Sequence, residues 1–213
     1  MMRRYLTEAE QQQLLRAAKT NTDPLAQRDY WWMRLLIELG MRVNEFHLLT
    51  LAQAEAALAM GWLVVTKGQR KGGKRGHEYL VTQTVRECLV ALTFMARAEP
   101  PIAGLPTPLV RGSHGAALSV RSYQARLKVW VSEAGLDPRV SIHWLRHTRA
   151  MNIMRRCRGE NPLGVVKQAL GHESISSTGI YTQMAREDYV RELHQVDGGR
   201  LSKRAARAMG AQA

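Results

Sequence analysis

The stretch IHWLRHTRAMNIMRRC, residues 142–157, governs how the rest of the chain is read. Ser141 ahead of it is a helix-capping residue type, so a helix is expected to start here. His143 and Arg146 lie three apart and share one face of its first turn, where the positive end of a helix favours a bound anion. That pair suits a phosphate. His143 and His147 also stand at the i,i+4 spacing of a helical zinc pair. Arg146 on the same face would repel a cation, however, and no glutamate sits between the histidines to act as a base. Taken alone, HxxRH is more often the start of an ordinary structural helix than a site.

Two other stretches bear on that choice. Upstream, GMRVNE, residues 40–45, places Arg42 just past a glycine turn, at the start of a helix expected to run on through Phe46, Leu48 and Leu49. Arg42 and Arg146 can grip one phosphate from two sides, because each guanidinium presents a fork of donors matched to phosphate oxygens. Glu45, three residues after Arg42, can brace an arginine or histidine, or serve as a surface i,i+3 partner. Downstream, GHESISSTGIYTQM, residues 171–184, sets His172 nine positions before Tyr181. By itself that gap does not separate a buried tyrosine from a nucleophile.

Composition narrows the partner. The 213 residues carry 31 Lys and Arg against 18 Asp and Glu, a net charge of +13. Such a field attracts polyanions, of which nucleic acid is the most abundant in a cell. Aromatics are only 6% and sit mostly in helical patterns, which disfavours base stacking on single strands and leaves phosphate contact to duplex as the better reading. A basic RNA-bound structural protein is the competing class on charge alone. Cys88 and Cys157 have no CxxC partners and read as packing residues in a reducing compartment. No apolar run of about 18 residues could span a bilayer, so no membrane role is expected. The expected location is the cytoplasm, associated with the nucleoid.

The chain reads as mainly α with a small antiparallel β-sheet or hairpin. Thr7 and Glu10 have capping-box spacing at the start of a first helix. DYWWMRLLIELG, residues 29–40, follows as an apolar helix closing at Gly40, with Trp31, Trp32, Leu35, Leu36 and Leu39 as core. Residues 62–82 read as two β-runs joined by a Gly-rich basic tip. Residues 100–116, with four prolines, form a loop. Ser119 caps a helix that closes at Gly135, and residues 161–171 form a short helix closing at Gly171. After Asp197 the tail has four basic residues and no acidic ones, a solvated end or an arm.

GMRVNE, HWLRH, LGHES and the tyrosine of STGIYT, in this order and at these spacings, resemble the catalytic signature of the tyrosine recombinases, or phage integrase family. The resemblance runs from about Leu6 to Leu193. It implies the catalytic-domain fold of DNA breaking-rejoining enzymes over residues 1–196, with a basic tail at 197–213. It also implies that the proline-rich loop is no domain boundary. Arg42 and Arg146 would be the two active-site arginines, His143 and His172 the histidines, and Tyr181 the nucleophile. A hairpin lysine is matched best by Lys67, in VTKG, with Lys74 the fallback. Arg70, Lys71, Lys74, Arg75 and Arg149 are expected DNA contacts.

The function implied by the resemblance is that of a site-specific recombinase, which cuts and rejoins double-stranded DNA through a 3′-phosphotyrosyl intermediate, with no metal and no cofactor. It would act as a homo-oligomer, a dimer on each site and a tetramer in synapsis, with accessory DNA-bending proteins possible. Few residues precede the first catalytic-domain helix, as in the short invertases that switch fimbrial genes. The alternative is a catalytically silent relative that binds DNA and regulates.

Overall fold

The computed structural model describes residues 4–70, 75–112, 115–159 and 161–171. The expectations for Lys71, Lys74, His172, Tyr181 and the tail lie outside the described residues. Over the described residues, eight helices and one hairpin follow in order: α1 Glu8–Lys19, α2 Pro24–Leu39, α3 Val43–Phe46, α4 Leu51–Met60, β1 Trp62–Val65, β2 His77–Leu80, α5 Gln83–Arg97, α6 Val120–Glu133, α7 Ile142–Arg156 and α8 Pro162–Leu170. The mainly α expectation with one antiparallel pair holds over these residues.

Local chemistry accounts for most of the boundaries. Thr7 and Glu10 cap each other's backbone at the start of α1, as their spacing predicts. α2 starts five residues earlier than the DYWW pattern suggests, because Asp23 accepts from the Leu25 amide and Pro24 occupies the first turn, where its missing N–H costs nothing. α3 corrects the sequence reading in the other direction. It spans four residues and does not run through Leu48 and Leu49. Thr50 instead caps α4, accepting from the Gln53 amide while Gln53 Oε1 accepts from the Thr50 amide.

α2 is the central helix and packs against α1, α5 and α7. It contributes Trp32, Met33, Leu35 and Leu36 to the core, with Trp31 only partly buried against it. Trp32 and Phe46 meet Tyr123 of α6 edge-on, at ring-centroid distances of 5.0 and 5.6 Å. Asp29 of α2 is fully buried and accepts from Trp32 Nε1 at 2.8 Å and Trp130 Nε1 at 2.9 Å, with Arg28 and Arg126 beside it. One carboxylate therefore ties α2 to α6.

The proline-rich loop is stitched to the body, not a linker. The Leu51 amide donates to Thr107 O and the Leu109 amide to Leu49 O, each at 2.8 Å. Leu109 and Val110 are buried. At the other end of the chain, the Leu6 amide donates to Thr148 Oγ1 of α7 at 2.9 Å. The N-terminal segment is thereby fastened to the helix that carries HWLRH.

Candidate active site

Gly40 brings two distant stretches together. It ends α2 in the left-handed conformation, φ 64°, and a Cβ there would lie 2.4 Å from Leu170 Cδ2 and 2.9 Å from Arg149 Cγ. Only glycine lets α2, α7 and α8 approach this closely. The Gly40 carbonyl accepts from Arg146 Nη1 at 2.6 Å, and Arg146 Nη2 donates to Leu170 O at 2.9 Å. Arg146 is thus buried, 3% exposed, with its guanidinium held between the end of α2 and the end of α8.

Two residues past Gly40, Arg42 stands at the N-cap of α3 without capping it through its side chain. Its Nη1 donates to Glu45 Oε1 at 3.2 Å, and 44% of the side chain stays in solvent. Glu45 is 2% exposed and bridges three segments. Besides Arg42 it accepts from Arg70 Nε at 3.4 Å, and its Oε2 accepts from the Tyr79 hydroxyl of β2 at 3.2 Å. Burial and the Glu45 carboxylate push the Tyr79 hydroxyl far above the usual phenol range, so it stays a donor. The bracing expected of Glu45 is present.

His143 lies one turn before Arg146 on α7 and is exposed. Its pKa falls below the ordinary histidine value, through partial desolvation first and then the charges of Arg146, Arg42 and Arg4. Both arginines therefore act on one imidazole, and that imidazole is held neutral near pH 7. His147 meets it edge-on, centroids 4.6 Å apart. Burial, then His143 and Arg146, push His147 down to about 4. Such a pair resists a second positive charge. Among the described residues, no three His, Cys, Asp or Glu side chains cluster as a metal site.

Lys67 lies just beyond β1, exposed, in a single 3-10 turn, Lys67–Gln69. Gln69 fixes this turn, accepting from the Thr66 amide at 3.0 Å and donating to Leu48 O at 3.0 Å. Arg70 is the clearest departure from the sequence expectation. Read as a hairpin contact for DNA, it is instead 9% exposed and turned inward. Its Nη1 donates to Arg75 O at 3.0 Å and its Nη2 to Gly171 O at 2.9 Å. A run of basic residues in sequence gives no sign that one of them is buried. Arg149, also expected on DNA, is half-buried against Gly40 and paired with Glu38 at 3.4 Å, and burial lowers its pKa. Arg75 is exposed.

Sequence reasoning missed His77 and Tyr79. His77 is half-buried, its Nε2 3.5 Å from Ala169 O and its ring edge-on to Tyr79. Alternation along β2 puts both on one face, and that was the available signal. The last turn of α8 is therefore gripped at three successive carbonyls, 169 to 171, by His77, Arg146 and Arg70. His172 is the next residue in the chain.

Among the described residues no helix is long and apolar enough to cross a membrane. Tyrosine recombinase XerC of Neisseria gonorrhoeae is 33% identical over 162 residues, 76% of this chain and 49% of its own length. The chain thus spans about half the length of that relative. The fold is similar to XerA recombinase, with a TM-score of 0.71 at 22% identity over 94% of this chain and 68% of that one. It is also similar to XerH site-specific recombinase bound to difH substrate, TM-score 0.68 at 20% identity over 89% and 53% of the two chains. Residues 4–188 match the Phage integrase family, and the chain belongs to that family.

Proposed function

We propose that this chain carries the catalytic centre of a site-specific DNA recombinase of the tyrosine type. The observation that supports it most is the placement of Arg42 and Arg146, two guanidiniums anchored by buried partners and both acting on the neutral His143. The similarity in fold to the Tn1549 transposon integrase in complex with transposon right end DNA supports DNA as the partner, and the net charge of +13 suits it. Homo-oligomers on paired sites belong to the same reading, and so does the assignment of residues 1–196 to the catalytic domain.

The chemistry runs as a transesterification. A tyrosine hydroxyl, with a pKa near 10, is only about one part in a thousand ionised at pH 7. His143 takes the proton from Tyr181 as its oxygen bonds to the phosphorus, and the bond from phosphorus to the 5′ oxygen breaks. Lys67 gives that leaving oxygen its proton. Arg42, Arg146 and His172 stabilise the charge on the non-bridging oxygens at the pentavalent stage. The product is a 3′-phosphotyrosyl strand and a free 5′ hydroxyl. Attack by a 5′ hydroxyl reverses the step and rejoins DNA without ATP or metal, because the ester keeps the bond energy.

The test is covalent capture. A nicked duplex carrying the target, sought among repeats flanking the gene, should give a protein–DNA species that survives denaturant. Tyr181→Phe should abolish it and leave binding intact. Binding with no adduct from the wild-type protein would favour the silent regulator.

A further inference from the structure

We propose that Arg70 is a positioning residue that aims Lys67 at the leaving 5′ oxygen. This inference rests on the recombinase reading above and assigns to the hairpin base a role separate from DNA contact.

Arg70 closes the 3-10 turn that carries Lys67, its backbone amide donating to Lys67 O at 3.1 Å. From there its side chain runs inward, and each of its three nitrogens has a partner on a different segment. Nε meets Glu45 Oε1, Nη1 the carbonyl of Arg75 across the hairpin, and Nη2 the carbonyl of Gly171. Glu45 also holds Arg42, and the carbonyl before Gly171 holds Arg146. The turn bearing Lys67 is thereby registered against both arginines of the site through one guanidinium.

A planar fork is needed for this. Three acceptors on three segments match the fixed geometry of guanidinium donors, which an ammonium on a flexible stem does not reproduce. Lys67 itself is exposed and, among the described residues, has no such anchor for its own side chain, so its position depends on the turn. Gly76 supports the same register from the opposite strand, since a Cβ there would lie 2.9 Å from the Val65 carbonyl. Gln69 fixes the outer side of the turn through Leu48 O.

A residue that acts through the leaving-group acid has a signature that simple loss of structure lacks. A 5′-bridging phosphorothiolate leaves as a thiolate and needs no proton. In adduct assays, Arg70→Lys should slow cleavage of the ordinary oxygen substrate by about 10- to 100-fold. With the sulfur substrate its rate should return to within about threefold of wild type. Lys67→Ala should show the same pattern more strongly. Gln69→Ala, at a partly exposed position, removes the other anchor of the same turn and should give a weaker, sulfur-rescued defect even if Arg70→Lys folds poorly. Equal losses on oxygen and sulfur in the Arg70 and Gln69 variants would overturn the proposal, as would an oxygen rate unchanged by Arg70→Lys. Failure of the recombinase reading would look different, as no adduct from wild-type protein with either substrate.

Discussion

Two buried carboxylates, Asp29 and Glu45, each gather arginines, yet only one belongs to a candidate active site. Asp29 is bound by residues of two neighbouring helices, Arg28 and Trp32 of α2 and Arg126 and Trp130 of α6. Two of its donors are indole N–H groups that have nothing further to reach. Glu45 draws on Arg42, Arg70 and Tyr79 from three separate segments, and Arg42 remains 44% exposed. Arg42 in turn acts on His143 through its charge. A buried ion pair by itself is therefore weak support for function. Arg126 beside Asp29 is 31% exposed as well, so exposure does not separate the two; what distinguishes Glu45 is that its donors come from three separate segments and that one of them also acts on His143.

Mutation separates the two carboxylates. The largest effect expected is on activity, from Arg146→Ala. It removes a cation from the proposed phosphate site together with the bonds to Gly40 O and Leu170 O, and should lower the rate of adduct formation by about a thousandfold or more. Asp29→Ala should instead lower stability by about 3–5 kcal/mol, since Arg28 and Arg126 lose a buried counter-ion and two indoles lose an acceptor. Chemical denaturation would measure that loss. The Asp29 protein that remains folded should cleave at the wild-type rate. Glu45→Gln should do the reverse, with a smaller stability loss of about 1–3 kcal/mol and a cleavage defect larger than that of Asp29→Ala. Equal cleavage defects in the two variants would erase the distinction.

The smallest of these effects is in the pH response. His147, pushed down to about 4, and His143, also lowered, take up protons less readily in the folded protein than in the unfolded chain. The unfolded chain then binds more protons below about pH 6.5, so stability declines as pH falls from there toward the folded values. His147 alone should cost about 2 kcal/mol at pH 5. Thermal melts from pH 8 to 5 should show this decline, and His147→Asn should flatten it. For catalysis the sign is favourable. A lowered His143 stays an unprotonated base to a lower pH than an ordinary histidine would.

Much of this was legible in sequence because it depends on short spacings. The Thr7–Glu10 box, the Ser119 to Gly135 helix, the hairpin and the glycine ends of α2 and α8 all follow from residues within a few positions of one another. The break after α3 was legible in principle, since Thr50 and Gln53 have capping-box spacing that competes with a continued helix. Arg70 and Asp29 were not. Arg70 donates to Gly171, 101 residues away, and Asp29 accepts from Trp130 at the same separation. No local pattern marks a charged residue for burial when its partners are that remote. Arg42, His143 and Arg146 could be picked out as a set from the family resemblance and Glu45 from its spacing to Arg42, and geometry then supplied what holds each of them.

The most direct measurement is to locate the covalent bond itself. Captured adduct, trimmed with nuclease and digested with trypsin, should carry a 3′-nucleotide phosphate on the peptide spanning residues 168–186, with fragmentation placing it on Tyr181. A nucleotide on one of the serines or threonines of that peptide, or on a different peptide, would rule out Tyr181 as the nucleophile.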